Sequence, residues 1–593
     1  MDKVNITIDG RKLSVPADYT VLTAAREAGI KIPTLCYLKD LNEIGACRMC
    51  LVELKGGRAL QASCVYPVNE GMEVYTNSPS VLQARRANLE LILSNHDRKC
   101  LTCSRNTNCE LQQLASDLQI EETPFDGDNY HYDVDDLSAS IVRDNNKCIV
   151  CRRCVAACRK KQSTSVIEAK GRGFKTQIGS PFDKSLRDVA CIMCGQCILA
   201  CPTGALKEKD HTARVWRALA NKDLHVVVQT APAVRIALGE EFGMPIGTRV
   251  TGKMAAALKK LGFARVFDTN TGADFTIMEE GTELIGRIQN GGKLPMITSC
   301  SPGWIKFAEH YYPEFLENLS SCKSPHTMFG ALLKSYYAEK AGVDPKKIYV
   351  VSVMPCTAKK YEIDRDVMEV DGLRDVDAVI TTRELAKMIK TAGINFTALE
   401  DEQFDDPFLA ASGAAAIFGA SGGVMEAALR TVAEKLTGKR LEKVEFYGPR
   451  GQNGIKEFTV ELPQLTLKGC VVNGMANARI VLDKIKAGEA DYHFIEIMGC
   501  PGGCVTGGGQ PIVDSFTQSE VNVWDLRAKA IYAEDESLPV RRSHENPAVQ
   551  DIYKNYLGEP NGHKAHHLLH TTYTARTQYE EDYLTRPTVG AAK

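Results

Sequence analysis

Apolar and polar residues alternate through VNITIDG and again through KLSV at the start of the chain, the period-two signature of a β-hairpin. A short helix is expected around Val21 to Ala28, and VLQARRANLELILSNH reads as a second helical stretch. From about Leu224 the pattern changes. HVVVQTAPAVR predicts a buried strand running into a loop. Apolar β-branched runs then alternate with helical patterns: FARVFDT, a helix through Thr282 to Ile288, PMITSC, a helix at Gly303 to Phe315, KIYVVSVMPC, DAVIT, and a helix at Arg383 to Thr391. That alternation predicts α/β layers with largely parallel sheets. After Val521 the chain is expected to be helical and polar, ending in YEEDYLTRPTVGAAK.

Composition narrows the function classes. At 593 residues the chain exceeds what one core can serve, so several domains are expected. It is 44% hydrophobic and 25% charged with a net charge of −2, which gives no reason to expect nucleic-acid binding. No long apolar run predicts a membrane span, and MDKVNITIDG lacks the apolar core of a signal peptide. The 21 cysteines crowd at two-residue spacings, which suits metal coordination better than a secreted disulfide scaffold. A cytoplasmic, reducing and oxygen-avoiding setting is expected.

Cys36, Cys47, Cys50 and Cys64 form C-x10-C-x2-C-x13-C within a small β-rich unit, enough to hold a two-iron cluster, with zinc as the rival. His96, Cys100, Cys103 and Cys109 follow as H-x3-C-x2-C-x5-C, a set that fits zinc as well as iron–sulfur. The two groups in this order resemble the electron-input subunit of respiratory complex I. That resemblance implies a [2Fe-2S] cluster on the first group and a His-ligated [4Fe-4S] cluster on the second. Cys148, Cys151, Cys154 and Cys158 give C-x2-C-x2-C-x3-C. Cys191, Cys194, Cys197 and Cys201 repeat it, with Pro202 after the last. This is the two-cluster bacterial ferredoxin pattern, in which the fourth cysteine of each run serves the other cluster. One cubane is therefore expected on Cys148, Cys151, Cys154 and Cys201, the other on Cys191, Cys194, Cys197 and Cys158. A run of redox centres on consecutive modules reads as a wire.

No G-x-G-x-x-G opens a helix after a strand and no Walker loop occurs, so the chain itself is not expected to bind NAD(P) or flavin. Six cysteines remain. Cys322 and Cys470 have no special setting and are expected to be buried free thiols. Cys300 in TSCSPGW and Cys356 in VMPCTAKK follow strands, and Cys500 and Cys504 lie in EIMGCPGGCVTGGGQP, where glycines would let the backbone approach a bulky inorganic group.

These three loops together resemble the signature loops of the [FeFe] hydrogenases, and the likeness runs on to the SHENP tail. The resemblance implies an α/β domain holding an H-cluster, a [4Fe-4S] cubane joined through a cysteine to a two-iron subsite carrying CO, cyanide and azadithiolate. It implies the reaction 2H⁺ + 2e⁻ ⇌ H₂. It implies five regions: a β-grasp [2Fe-2S] domain at 1–78, a His/Cys3 cluster domain at 79–120, a two-cluster ferredoxin domain at 138–210, the H-cluster domain at 223–515 and a helical small-subunit-like belt at 522–580. Cys356, Cys500 and Cys504 match cubane ligands, with Cys504 the bridging thiolate. Met354 and Met498 match apolar contacts to the two-iron subsite. Lys359 matches a donor to one cyanide, and Ala231 and Pro232 match the loop facing the other. Glu280, Ser320, Glu283 and Arg287 match a proton route to the surface.

The chain departs from the family in its first loop, where T-S-C-S-P replaces T-S-C-C-P. By register Cys300 matches the proton-relay thiol and Ser301 the cubane ligand. By chemistry a thiolate holds iron far better than an alkoxide. The expectation is therefore that Cys300 ligates the cubane and Ser301 stands in the relay, which requires the loop to shift by about one residue. Ala358 stands where many relatives have serine. The resemblance implies H2 and protons as reactants, ferredoxin or flavin- and NAD(P)-binding partner subunits, and dedicated H-cluster maturation proteins. A complex I-like relay without hydrogen chemistry and a hydrogen sensor on the same fold are the alternatives. A relay has no need of the three loops, and a sensor is expected to carry an appended signalling module.

Overall fold

The computed structural model describes residues 2–578 apart from 126, 409, 410, 463 and 464. Strands Lys3–Ile8 and Arg11–Pro16 form the expected hairpin, with Ile6 opposite Leu13. Lys3–Ile8 also pairs in parallel with Glu73–Tyr75, and Leu51–Leu54 and Gln61–Ala62 complete a five-stranded sheet. Helix Val21–Glu27, whose first turn is capped by the Thr20 hydroxyl, packs its apolar face on that sheet. Helix Pro79–Ser94 starts at a proline after the capping Ser78 and leads to a one-turn segment at Cys100–Thr102 and helix Glu110–Asp117.

Between residues 141 and 208 regular structure is sparse: two short antiparallel pairs, Ile141–Arg143 with Leu206–Glu208 and Glu168–Lys170 with Gln177–Gly179. Cysteine side chains supply much of the core here, packed with Ile141, Val155, Leu186 and Ile198.

The larger α/β part holds two four-stranded sheets. Arg265–Asp268, His225–Thr230, Ile348–Met354 and Ala378–Thr381 are all parallel. Both faces are covered, which is why these strands read as nearly continuous apolar runs. The second sheet orders Met296–Ile297, Phe494–Met498, Leu465–Asn473 and Ile455–Leu462. Its first three strands are parallel and its last pair antiparallel. That antiparallel hairpin carries no signal in the expectations above.

Two helices differ from their expected spans. The helix expected at 282–288 runs from Thr269 to Gln289. Its first half, TNTGADFTI, is buried on every side, so it shows no amphipathic period. Close packing sets its composition: a side chain at Gly272 would collide with Phe329 and Pro325. The helix expected at 303–315 stops at Tyr311 because Pro313 lacks an amide donor, and a 3-10 segment, Pro313–Asn318, follows.

Helices Val523–Ser537, Pro547–Ile552 and His563–Leu569 wrap the α/β part. YEEDYLTRPTVGAAK, including the last two residues of the expected belt at 522–580, lies outside the described residues. Among the described residues no helix is long and apolar enough to cross a membrane.

The wrapping segment is pinned by charge. Arg430, on helix Gly423–Thr437, donates to both oxygens of Asp535 at 2.9 Å and to Glu426 at 2.8 Å, and all three side chains are fully buried. Removing one partner strands a buried charge. Asp535→Ala is expected to destabilise this part by about 3–5 kcal/mol, read as a lowered thermal midpoint by calorimetry.

Candidate functional site

The fold brings several cysteines close together. All 21 are unpaired thiols. Cys50 and Cys64 lie with their sulfurs 3.3 Å apart, and the Cys36 and Cys47 sulfurs accept from each other's backbone amides. Cys148, Cys151, Cys154 and Cys201 line one small cavity. Cys158 adjoins Cys191 and Cys197 electrostatically, the cross-over that the ferredoxin pattern requires. His96 is largely buried, which holds its pKa below the ordinary value, and its Nδ1 has no hydrogen-bond partner among the described residues.

The modules meet at backbone level. Asn42 Nδ2 donates to the carbonyls of Cys36 (2.7 Å) and Cys151 (3.0 Å), joining the first cysteine set to the first cubane set. A side chain at Gly204 would strike Cys103 Sγ, and Arg105 donates to the Cys201 carbonyl at 3.3 Å. The His96 set therefore touches the same cubane set, and its Cys109 also packs in one apolar cluster with Cys47 of the first set. On the far side Gly195 packs on Thr357 and Gly508, and Gly508 packs on the Cys194 carbonyl. Thr357 Oγ donates to the Met193 carbonyl at 2.7 Å, and Gln196 Nε2 to the Thr506 carbonyl at 3.0 Å.

The three loops leave the C-terminal ends of parallel strands: Ile297 runs to Cys300, Met354 to Cys356, and Met498 to Cys500 and Cys504. That is the usual place for a site in an α/β layer. They enclose a cavity of about 90 Å³ whose walls include Cys300, Ser301, Cys356, Cys500 and Cys504. Ala231, Pro232, Met354 and Met498 supply apolar surface to the same cavity. Gly499, Gly503 and Gly507 line the cavity, and close packing also leaves no room for side chains in this loop: one at Gly502 would strike the Trp524 ring, and one at Gly503 the backbone of Ser421. Burial drives the Cys356 and Cys500 thiols above their ordinary pKa and pushes Cys504 up to about 12. Such sulfurs carry charge only against bound cations. Clustered buried thiols around a void fit an iron–sulfur group.

The first loop brings both Cys300 and Ser301 to the cavity wall. Pro302 opens helix Pro302–Tyr311, and Ser301 occupies the cap position without capping it. Instead Ser301 Oγ accepts from the Gly499 amide at 3.0 Å, facing the third loop beside Cys500. Burial raises the Cys300 thiol well above its ordinary pKa. Its charged neighbours are Glu280, Lys359, Cys504 and Glu496. Trp304 Nε1 donates to the Thr298 carbonyl at 3.1 Å, tying the helix that Pro302 opens back to the start of the loop.

Lys359 Nζ donates to the Cys300 carbonyl (3.1 Å) and to Glu362 Oε2 (2.7 Å). His326 shares that carboxylate at 2.6 Å. Although burial opposes it, Lys359 and His326 pull Glu362 down to about 2. Sequence reasoning missed Glu362 and His326. The i, i+3 spacing of Lys359 and Glu362 was a visible signal; His326 had none.

Glu280 is completely buried. Burial first, and Glu283 second, raise it to about 8. Ser299 Oγ lies 3.4 Å from Glu280 Oε1, and Glu280 Oε2 has no partner among the described residues. Ser320 Oγ donates to Glu283 at 2.9 Å, and Arg287 donates to Glu283 at 2.6 Å. Glu280, Ser320, Glu283 and Arg287 thus form one file from beside Cys300 toward the outside.

Comparison with known proteins finds five family matches along the chain. Residues 224–508 match the family "iron only hydrogenase large subunit, C-terminal domain", and 521–576 match "iron hydrogenase small subunit". Residues 1–79 match a 2Fe-2S iron-sulfur cluster binding domain, 85–124 the NADH-ubiquinone oxidoreductase-G iron-sulfur binding region, and 147–205 a 4Fe-4S dicluster domain. The chain is 49% identical over 97% of its length to the whole of the NADP-reducing hydrogenase subunit HndD of Solidesulfovibrio fructosivorans. It is 46% identical over 96% of its length to iron hydrogenase 1 of Clostridium pasteurianum, of which 99% is covered. The structure of a variant of the [FeFe]-hydrogenase HydA1 from Chlamydomonas reinhardtii superposes with a TM-score of 0.55 at 44% identity, covering 61% of this chain and 98% of that one.

The raised Glu280 pKa makes stability pH-dependent. The folded state holds its proton more tightly than the unfolded state. The stabilisation is therefore full below the ordinary pKa of 4.5 and is lost as pH rises through about 8. Glu280→Gln is expected to flatten the fall in thermal midpoint across that window, measured by calorimetry at matched ionic strength.

Proposed function

The chain belongs to the iron-only, or [FeFe], hydrogenase family and catalyses reversible hydrogen oxidation and proton reduction, and from that premise we propose how its residues divide the work. Cys36, Cys47, Cys50 and Cys64 hold one [2Fe-2S] cluster. Cys100, Cys103 and Cys109 with His96 hold one [4Fe-4S] cluster, and the two ferredoxin sets hold two more. Cys356, Cys500 and Cys504 hold the cubane of the H-cluster. The convergence of all three loops on one thiol-lined cavity beside Cys194 is the observation that carries this reading. When bound, the H-cluster supplies the centre at which two protons and two electrons interconvert with hydrogen.

The chain's own groups do the rest. Lys359, held by Glu362, offers a cation to an anionic cyanide in a dry pocket. Met354, Met498, Ala231 and Pro232 exclude water around it. We assign Cys300 to the proton relay, against the expectation from ligand softness, because Glu280 weighs most among its charged neighbours, ahead of Lys359, Cys504 and Glu496. Ser301 Oγ takes the cubane-facing place, held there by the Gly499 amide. Protons then pass between Cys300, Glu280, Ser320 and Glu283, with Arg287 at the outer end. A carboxyl near pH 8 can both take and give a proton in neutral solution.

The full-length likeness to an NADP-reducing hydrogenase subunit supports partners carrying flavin and an NAD(P) site, with ferredoxin as the other electron partner. Maturation proteins are needed to build the two-iron subsite. The cysteine spacing, which suits metal ligation better than disulfides, supports a cytoplasmic setting.

Infrared spectroscopy of the anaerobically matured protein tests the reading. Bands of iron-bound CO and cyanide are expected, and their absence after full maturation excludes the H-cluster. Cys300→Ser is expected to keep those bands and its iron while hydrogen evolution falls about a hundredfold or more. Loss of bands and of cubane iron instead makes Cys300 a ligand.

A further inference from the structure

An ammonium has three N–H donors. Lys359 places one on Glu362 Oε2 at 2.7 Å and one on the Cys300 carbonyl at 3.1 Å. Lys359 lines the cavity, so its third donor is the one left for an anionic group held there. Whether that donor faces the cavity depends on Glu362. A buried carboxylate with a single cation beside it draws that cation onto itself, because both lose their water. Glu362 is not left alone with Lys359.

His326 Nε2 lies 2.6 Å from the same oxygen, Glu362 Oε2, and His326 Nδ1 lies 3.2 Å from Ser352 Oγ. The residue is buried, and burial first, then Lys359, hold its pKa down to about 4, so the imidazole is neutral. Glu362 is ionised and can only accept. Nε2 therefore carries the ring proton, and Nδ1 accepts from the Ser352 hydroxyl. Separate elements fix the ring. His326 sits in the first turn of helix Pro325–Leu332, and Ser352 lies on strand Ile348–Met354, which leads to Cys356. The His326 carbonyl accepts from Gln229 Nε2 at 2.8 Å, and Gln229 Oε1 accepts from the Thr269 hydroxyl at 2.9 Å. Like Lys359, His326 and Thr269 line the cavity.

We propose that His326 is a positioning residue of the hydrogenase reaction: by sharing Glu362 Oε2 it keeps the Lys359 ammonium turned to the cavity. The inference rests on the reading of Lys359 given above and names what holds it in place. A neutral donor on the shared oxygen takes up part of the carboxylate's charge, so Glu362 anchors Lys359 without neutralising it. The ring also ties the pair to the rest of the site. Lys359 and Glu362 belong to one short helix, Ala358–Glu362, whereas His326 and Ser352 stand on the helix and strand packed beside it. With the ring gone, Glu362 is free to turn both oxygens to Lys359 and draw its third donor away from the cavity. No proton or electron changes place at His326; it acts through Glu362 and Lys359. Partners one step removed from a metal centre carry weight of this kind through the orientation they impose.

The test uses the full matured chain in four variants: His326→Leu, His326→Gln, Ser352→Ala and Lys359→Met. Infrared spectra resolve the two cyanide bands, and hydrogen evolution from a reduced dye gives the rate. His326→Leu is expected to shift and broaden one cyanide band and leave the other in place, with evolution slower by about tenfold or more. The paramagnetic resonance signals of the accessory clusters stay as they were. His326→Gln keeps a neutral N–H donor and is expected to restore the band and most of the rate. Ser352→Ala removes the hydroxyl that fixes the ring and is expected to broaden the same band. It decides the question if His326→Leu does not fold or mature, and an unaltered band there overturns the proposal. Both cyanide bands in place in His326→Leu overturn it as well, even with a lower rate or thermal midpoint, since that marks a structural role. So does an equal loss in His326→Leu and His326→Gln. Lys359→Met separates the two readings. If it leaves both bands in place, the reading of Lys359 is wrong. If it shifts one band or prevents loading of the two-iron subsite while His326→Leu does neither, only the role of His326 is wrong.

Discussion

The interaction on which the rest of this structure depends is the backbone-to-backbone contact between the third loop and the second ferredoxin run. Electron transfer falls off steeply with distance, so the last accessory centre must sit almost against the catalytic one. Gly195 and Gly508 make that possible, because neither position has room for a side chain. Thr357 and Gln196 then hold the contact with a hydrogen bond from each side. The α/β layers follow from the same demand. Three parallel strand ends must deliver three cysteine loops to one point, and that point must face Cys194.

The ionisable groups near the cavity fall into two separate sets. Helix Thr269–Gln289 carries Glu279, Glu280 and Glu283 just past its fully buried first half. Burial, and then the neighbouring Glu283, raise Glu280, while Arg287, Ser320 and Ser321 bind Glu283. Lys359 pairs instead with Glu362, so the cation lining the cavity is balanced without drawing on those carboxyls.

Cysteine spacing made the accessory sets legible in the sequence, because ligand geometry dictates short fixed intervals that no other pressure imitates. The parallel strands were legible as apolar runs. The long helix was not, since burial on all sides erased its periodicity and left only Thr282 to Ile288 visible. The first loop was only partly legible: its cysteine and serine were visible, but the Trp304–Thr298 contact and the Gly499 amide on Ser301 come from the fold and leave no mark in the sequence. Tertiary partners such as His326 and Ser321 sit in stretches with no motif, where only the fold brings them to the site.

The Cys36 set touches the first ferredoxin set through Asn42, and the Cys103 set touches it through Gly204 and Arg105. The two input units also touch each other, since Cys47 and Cys109 pack in one apolar cluster with Leu35, Met49, Leu89 and Leu111. The three units thus close a triangle of contacts in which each is held on two sides. Loosening any one side leaves every unit still attached through the other two.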